Sequence, residues 1–354
     1  MTDLPTTART DRPAGEALTG YLTAQAGAFL RALPLVVGEA GARAGTLPGG
    51  PGGQAATGTA ELLRSVRRIG GALHTYGAGF EPEWAERTRT ELRWLLELLA
   101  QEPGCLRRSA RLLAALDSLS ETDPRRPGML AGHQGAPKAR ALLERQLTLA
   151  RTRAHSTLLQ ELRSARLHAL ADRMTLLAGE VPLVEYQPEL ADQAAGALEL
   201  LAAGAAALPP ARAPYGGEGL HRLSAAPPQV PAQGQAPPVP VGEVDADAAL
   251  AADDAPWGRV RILVKRARYA LEVCGVRRPG LDELDEVLDR HQDAADAAVT
   301  VATAARTPRI TPATAYVLGV VHADQRLEVE AARYAFGRQW PALQQHGWHE
   351  WASS

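Results

Sequence analysis

The sequence predicts an all-α fold on three observations. Leu and Ala fill nearly every apolar position while aromatics make up 5% of the chain and isoleucine is scarce, so helix formers abound and strand formers do not. Apolar residues recur at three- and four-residue spacing through most of the chain. The breaks between these stretches carry helix punctuation, such as Pro279-Gly280 ahead of an acidic turn and Thr311 as a cap before Pro312. With 354 residues, 45% of them apolar, the chain can bury a sizeable core.

The elements follow in order. Pro13 to Leu35 forms a helix with Leu18, Tyr21, Leu22, Phe29, Leu30 and Leu33 on its apolar side. "GEAGARAGTLPGGPGGQAATG" is a loop, because Gly and Pro interrupt every period. Helical patterns resume over 59–77, 82–101, 105–119 and 136–178, the last being two helices or one bent one, and again from near Pro188. Between Pro209 and Pro240 proline removes donors and glycine adds chain entropy, which predicts an exposed tether or a docking segment for a partner. Helices return over 256–275, 281–305 and 312–345.

Charge is distributed unevenly. The formal net charge is -2, yet residues 257 to 278 carry seven basic residues against Glu272 alone, which leaves +6. On a helix Arg261, Lys265 and Arg268 form one stripe, with Arg259 and Arg266 to its sides. Like charges at that spacing destabilise an isolated helix, so an anion or a facing acidic helix must compensate. A second basic helix carries Arg64, Arg67, Arg68 and His74, and a third region carries Arg151, Arg153, His155, Arg163, Arg166, His168 and Arg173. Three such helices could converge on one channel. Helix-presented arginines with little aromatic interleaving favour a ligand recognised through phosphate alone.

Several functions are excluded or lack support. Cys105 and Cys274 have no spacing partners, which excludes a disulfide framework or a thiolate metal site. His291 and His322 have no second ligand at metal spacing and are read first as helix-packing histidines. No phosphate-binding glycine loop, activated nucleophile or metal set appears, so no cofactor and no catalysis are expected. The N-terminus shows no signal-peptide pattern and no run reaches membrane-spanning length, which predicts a soluble cytoplasmic protein.

At this point the chain resembles the CHAD domain (conserved histidine α-helical domain) family. "RVRILVKRARYALEVCG" looks like its basic helix, "LDEVLDRHQDAADA" like the helix that follows, and "YVLGVVHADQRLEVEAARYAF" like its closing helix. Weaker echoes extend the resemblance over about residues 14 to 343. It implies two pseudo-symmetric antiparallel helical bundles enclosing a basic cleft, with halves at 14–180 and 188–345 and an insertion at about 209–250. It also implies non-enzymatic binding of inorganic polyphosphate and targeting to polyphosphate granules. The expected polyphosphate-binding residues are Arg64, Arg67, Arg68, Arg153, Arg163, Arg166, Arg261, Lys265, Arg266, Arg268, His291 and His322.

The chain departs from the family pattern at Ala60 and Gly258, which stand where histidines are usual, and at Leu63 and Gly70, which replace basic residues. Nothing resembles the triphosphate-processing barrel that some members carry in front. Two other readings compete: a protein-interaction module whose partner engages the Pro-rich insertion, and a nucleic-acid backbone binder, although no recognition motif supports the latter.

Overall fold

A computed structural model describes residues 14–43, 53–123, 128–185, 188–209 and 246–345. Nine α-helices are found among them: α1 (Ala14–Arg43), α2 (Gly53–Thr75), α3 (Pro82–Leu119), α4 (Ala136–Glu161), α5 (Ala165–Gly179), α6 (Leu190–Ala206), α7 (Ala246–Val273), α8 (Pro279–Ala305) and α9 (Pro312–Gln345). The β content of the described residues is a single bridge, Phe80 to Leu183. The Pro-rich stretch lies almost wholly outside the described residues.

Helix ends obey local chemistry. Glu81 accepts a hydrogen bond from the Trp84 backbone N–H at 2.9 Å and is followed by Pro82, which needs no donor partner at the first helical position. Ser164, in extended conformation, accepts from Leu167 N–H and starts α5, so the 136–178 pattern is two helices broken at Leu162 to Ser164. Three expectations fail. α1 runs to Arg43 and α2 starts at Gly53, so both ends of the expected loop are helical, and α7 starts at Ala246, within the expected insertion, rather than at 256. The stretches 82–101 and 105–119 are one helix, with Pro103 inside it. The 3.6-residue apolar period runs unbroken through Leu95, Leu98, Leu99, Cys105, Leu112 and Leu116, and the packing of that side overrides the proline.

α1–α5 and α6–α9 are two helical groups of matching architecture. Val66, Ile69, Ala72, Leu73 and Tyr76 of the α2 segment correspond to Val264, Ala267, Ala270, Leu271 and Cys274 of the α7 segment, and all ten are buried. Ala85, Thr88, Leu92, Leu95 and Leu99 of α3 correspond likewise to Leu281, Leu284, Leu288, His291 and Ala295 of α8, again all buried. α2 packs directly on α7, so the two equivalent helices meet at the centre. There Tyr76 donates to the Ala270 carbonyl at 2.7 Å and its hydroxyl lies 3.4 Å from the equivalent residue, Cys274.

Close approach of α2 and α7 requires a glycine. A Cβ on Gly71 would lie 2.8 Å from the Tyr269 ring, the residue at its equivalent position. One core cluster joins α1, α2, α5, α6 and α7 to parts of α3, α8 and α9, and a second is made where the α3–α4 and α8–α9 hairpins meet. The two groups therefore share a hydrophobic interior, which fixes the central helices against one another.

Candidate basic cleft

The Arg261, Lys265 and Arg268 stripe of the +6 segment is neutralised by its neighbour. Arg261 pairs with Asp289, Lys265 with Asp285 and with Asp289 at 3.0 Å, and Arg268 with Asp285 and with Asp282 at 3.2 Å. Asp282, Asp285 and Asp289 follow one another at three- and four-residue spacing on α8, so the acidic stripe matches the basic stripe of α7 turn for turn. Arg261 and Lys265 hold the Asp289 carboxyl below its usual range, against burial, which alone pushes it up. Of the two compensations the sequence left open, the facing acidic helix supplies this one.

The equivalent surface of the first half has the opposite character. Arg67 occupies the place of Lys265, while Arg89 and Arg93 of α3 stand where α8 carries Asp285 and Asp289. Arg266, on the side of α7 away from the ladder, joins them. Burial lowers its proton affinity and the nearby guanidiniums of Arg89 and then Arg93 lower it further. His74 at the last turn of α2 is affected in the same way, by burial first, then Arg266 and Arg89. Glu86 pairs with Arg89 at 3.0 Å and is the carboxylate that opposes this repulsion. Arg67, Arg93 and Arg266 form no ion pair with any described residue.

The junction of α2, α3 and α7 thus gathers His74, Arg89, Arg93 and Arg266 with one carboxylate, Glu86, among them, and Arg67 lies two turns before His74 on the same side of α2. At 4 Å and an effective dielectric of 20, one pair of like unit charges repels by about 4 kcal/mol, and less where solvent screens it. Guanidinium forks gathered in this way are chemically suited to an oxyanion, with which they can form charge-assisted hydrogen bonds. Its counterpart across the pseudo-twofold axis is a groove lined by Arg68, Arg268, Arg277, Arg278, Glu272 and Asp282. In that groove Arg68 pairs with Glu272 at 2.8 and 3.1 Å and Asp282 is shared by Arg268 and Arg277, so two carboxylates offset part of the charge of the four arginines.

The remaining sequence-predicted residues scatter. Arg64 is exposed on α2. Arg166 donates to Glu91 at 2.6 Å and lies 4.2 Å above the Trp94 ring, on the side of α3 away from Arg89 and Arg93. Arg163 is exposed in the α4–α5 turn, and Arg153 lines a shallow groove between α3 and α4 with Glu97 and Arg108. His322 is half-buried on α9. His291 is 2% exposed and occupies the position of the core residue Leu95. It accepts a hydrogen bond from Arg333 at 3.2 Å and stacks on Trp257, and burial with Arg333 drives its pKa down to about 4.

Arg333 is held in turn by Asp253 and Asp254 at 2.7 Å each, and Arg326 by Asp254. This interior network docks the first turns of α7 onto α9; no part of it faces the cluster. Arg89 and Arg93 were missed because Glu86, Glu91 and Glu97 make α3 look charge-balanced. No group of three or more acidic, His or Cys side chains suited to a metal occurs among the described residues, and none of their helices is long and apolar enough to cross a membrane.

Comparisons with known proteins agree with this architecture. No curated protein matches the chain. A solved structure, PptA from Streptomyces chartreusis, superposes with a TM-score of 0.72 at 41% sequence identity, covering 93% of this chain and all of that one. The family model for the CHAD domain matches residues 53–304, which contain α2 through α7, all but the last residue of α8 and every residue of the arginine cluster, and the chain belongs to that family.

Proposed function

We propose that the chain is a receptor for inorganic polyphosphate, held at the junction of α2, α3 and α7 by Arg67, Arg89, Arg93 and Arg266. The CHAD domain is a non-catalytic module, and this chain is not an enzyme. The observation that carries the reading is the cluster of guanidiniums in the half whose equivalent carries aspartates. Arginine forks bind phosphate oxygens bidentately, and a polymer lets several such contacts add. Arg261, Lys265 and Arg268 contribute only when phosphate displaces an aspartate, so they rank behind the uncompensated cations. Association with polyphosphate granules in the cytoplasm is part of the same proposal.

Binding of long-chain polyphosphate to the full chain and to an Arg89→Gln/Arg93→Gln/Arg266→Gln variant tests this. Each lost phosphate contact should lower the slope of log affinity against log salt by about one unit. The triple variant should bind more than tenfold more weakly, with helical content retained, whereas Arg163→Gln should bind as the parent does. Equal affinity of parent and triple variant would overturn the assignment. Retention of RNA in the presence of chain-matched polyphosphate would instead favour nucleic acid.

A further inference from the structure

The pseudo-symmetry is broken at one contact that bears on the anion site. Arg68 of α2 meets Glu272 of α7 in a two-pronged ion pair. The equivalent of Arg68 is Arg266, and the equivalent of Glu272 is His74. Where one side of the axis neutralises its arginine with a permanent anion, the other sets a titratable ring beside it. An imidazole cannot neutralise Arg266, and its proton adds a further positive charge to the cluster.

The groups around His74 are set by three helices. α7 contributes Arg266, and α3 contributes Arg89, Arg93 and Glu86, the last already paired with Arg89. α2 contributes Arg67 two turns earlier on the same side and, at its C-terminal end, carbonyls that favour a protonated ring. His74 is largely exposed, yet what burial it has and the three guanidiniums together outweigh Glu86, so the ring binds its proton less readily than a free histidine.

The geometry points to His74 as a proton-linked element of the site, a step that rests on the polyphosphate reading. Phosphate oxygens that settle among Arg89, Arg93 and Arg266 cancel the repulsion on the ring, His74 takes up one proton from solvent, and the polymer is held more tightly as the pH falls. The affinity rises as pH drops through the proton affinity of the occupied state and levels off below that of the empty state. Each unit by which those two values differ allows up to about tenfold tighter binding.

The test is equilibrium binding of long-chain polyphosphate to the full chain between pH 8 and 5.5 at constant ionic strength, for the parent, His74→Gln and His74→Glu. Long chains are used because terminal phosphates titrate near pH 6, while interior units keep their charge. The parent should bind at least about threefold more tightly at pH 6 than at pH 8 and take up protons, read calorimetrically in two buffers of different ionisation enthalpy. His74→Gln should flatten the profile. His74→Glu should pair with Arg266 and weaken binding throughout while leaving the helical signal intact. Binding with the same pH slope in the parent and His74→Gln would overturn the proton link and leave the polyphosphate reading standing. Absence of binding at every pH would overturn both.

Discussion

Replacing Asp285 by asparagine separates the two roles that charge plays in this fold. The carboxylate is 6% exposed and accepts from both Lys265 and Arg268. Removing one partner of a fully buried ion pair costs about 3–5 kcal/mol, because the other charge is left desolvated. Here Lys265 keeps Asp289, Arg268 keeps Asp282, and both cations retain some contact with water. The expected loss is therefore ~2 kcal/mol, which at ~2–4 °C per kcal/mol is a fall in Tm of ~4–8 °C. The same substitution strips the α7 stripe of a competitor for phosphate, so polyphosphate should bind several-fold more tightly at low salt. Thermal unfolding and a binding titration on one preparation read both effects. Unchanged Tm together with unchanged affinity would refute the claim that α8 neutralises α7.

Two further outcomes follow from packing and burial. Gly71→Ala drives a methyl group into the Tyr269 ring at the crossing of α2 and α7 and should cost about 1–3 kcal/mol in denaturant unfolding. His291, whose folded pKa of about 4 lies below the unfolded value near 6.5, refuses a proton that the unfolded chain accepts, so stability is intact above pH 6.5 and is lost as pH falls toward 4. That difference amounts to roughly 3 kcal/mol, and His291→Gln should flatten this segment of the stability–pH curve.

Helix periodicity made most of the fold legible in the sequence, since apolar spacing survives any choice of partner. Pro312 and Pro279 located their helix starts to within two residues, because proline at the first turn has one structural meaning. Pro103 misled, because its tolerance inside α3 depends on packing that local sequence does not record. The basic stripe on α7 was equally legible, but its partner was not. Asp282, Asp285 and Asp289 are three acids among several on α8, and only the placement of α8 against α7 singles them out as the partners of the basic stripe. Arg89 and Arg93 became informative only through their equivalence to Asp285 and Asp289, and His74 only through its equivalence to Glu272. Aligning the buried positions of the two halves residue by residue would have exposed all three. His291 drew attention as a motif residue, yet its equivalence to Leu95 marks it as part of the interior.

The central claim is that an uncompensated arginine cluster holds a phosphate polymer, and the most direct measurement is binding of long-chain polyphosphate to the unmodified chain across a salt series. Tight binding at low salt is expected, with affinity falling steeply and log-linearly as about three to five contacts are screened. Absence of binding at low salt would contradict it, since Arg67, Arg93 and Arg266 form no ion pair with any described residue and Glu86 is already paired with Arg89.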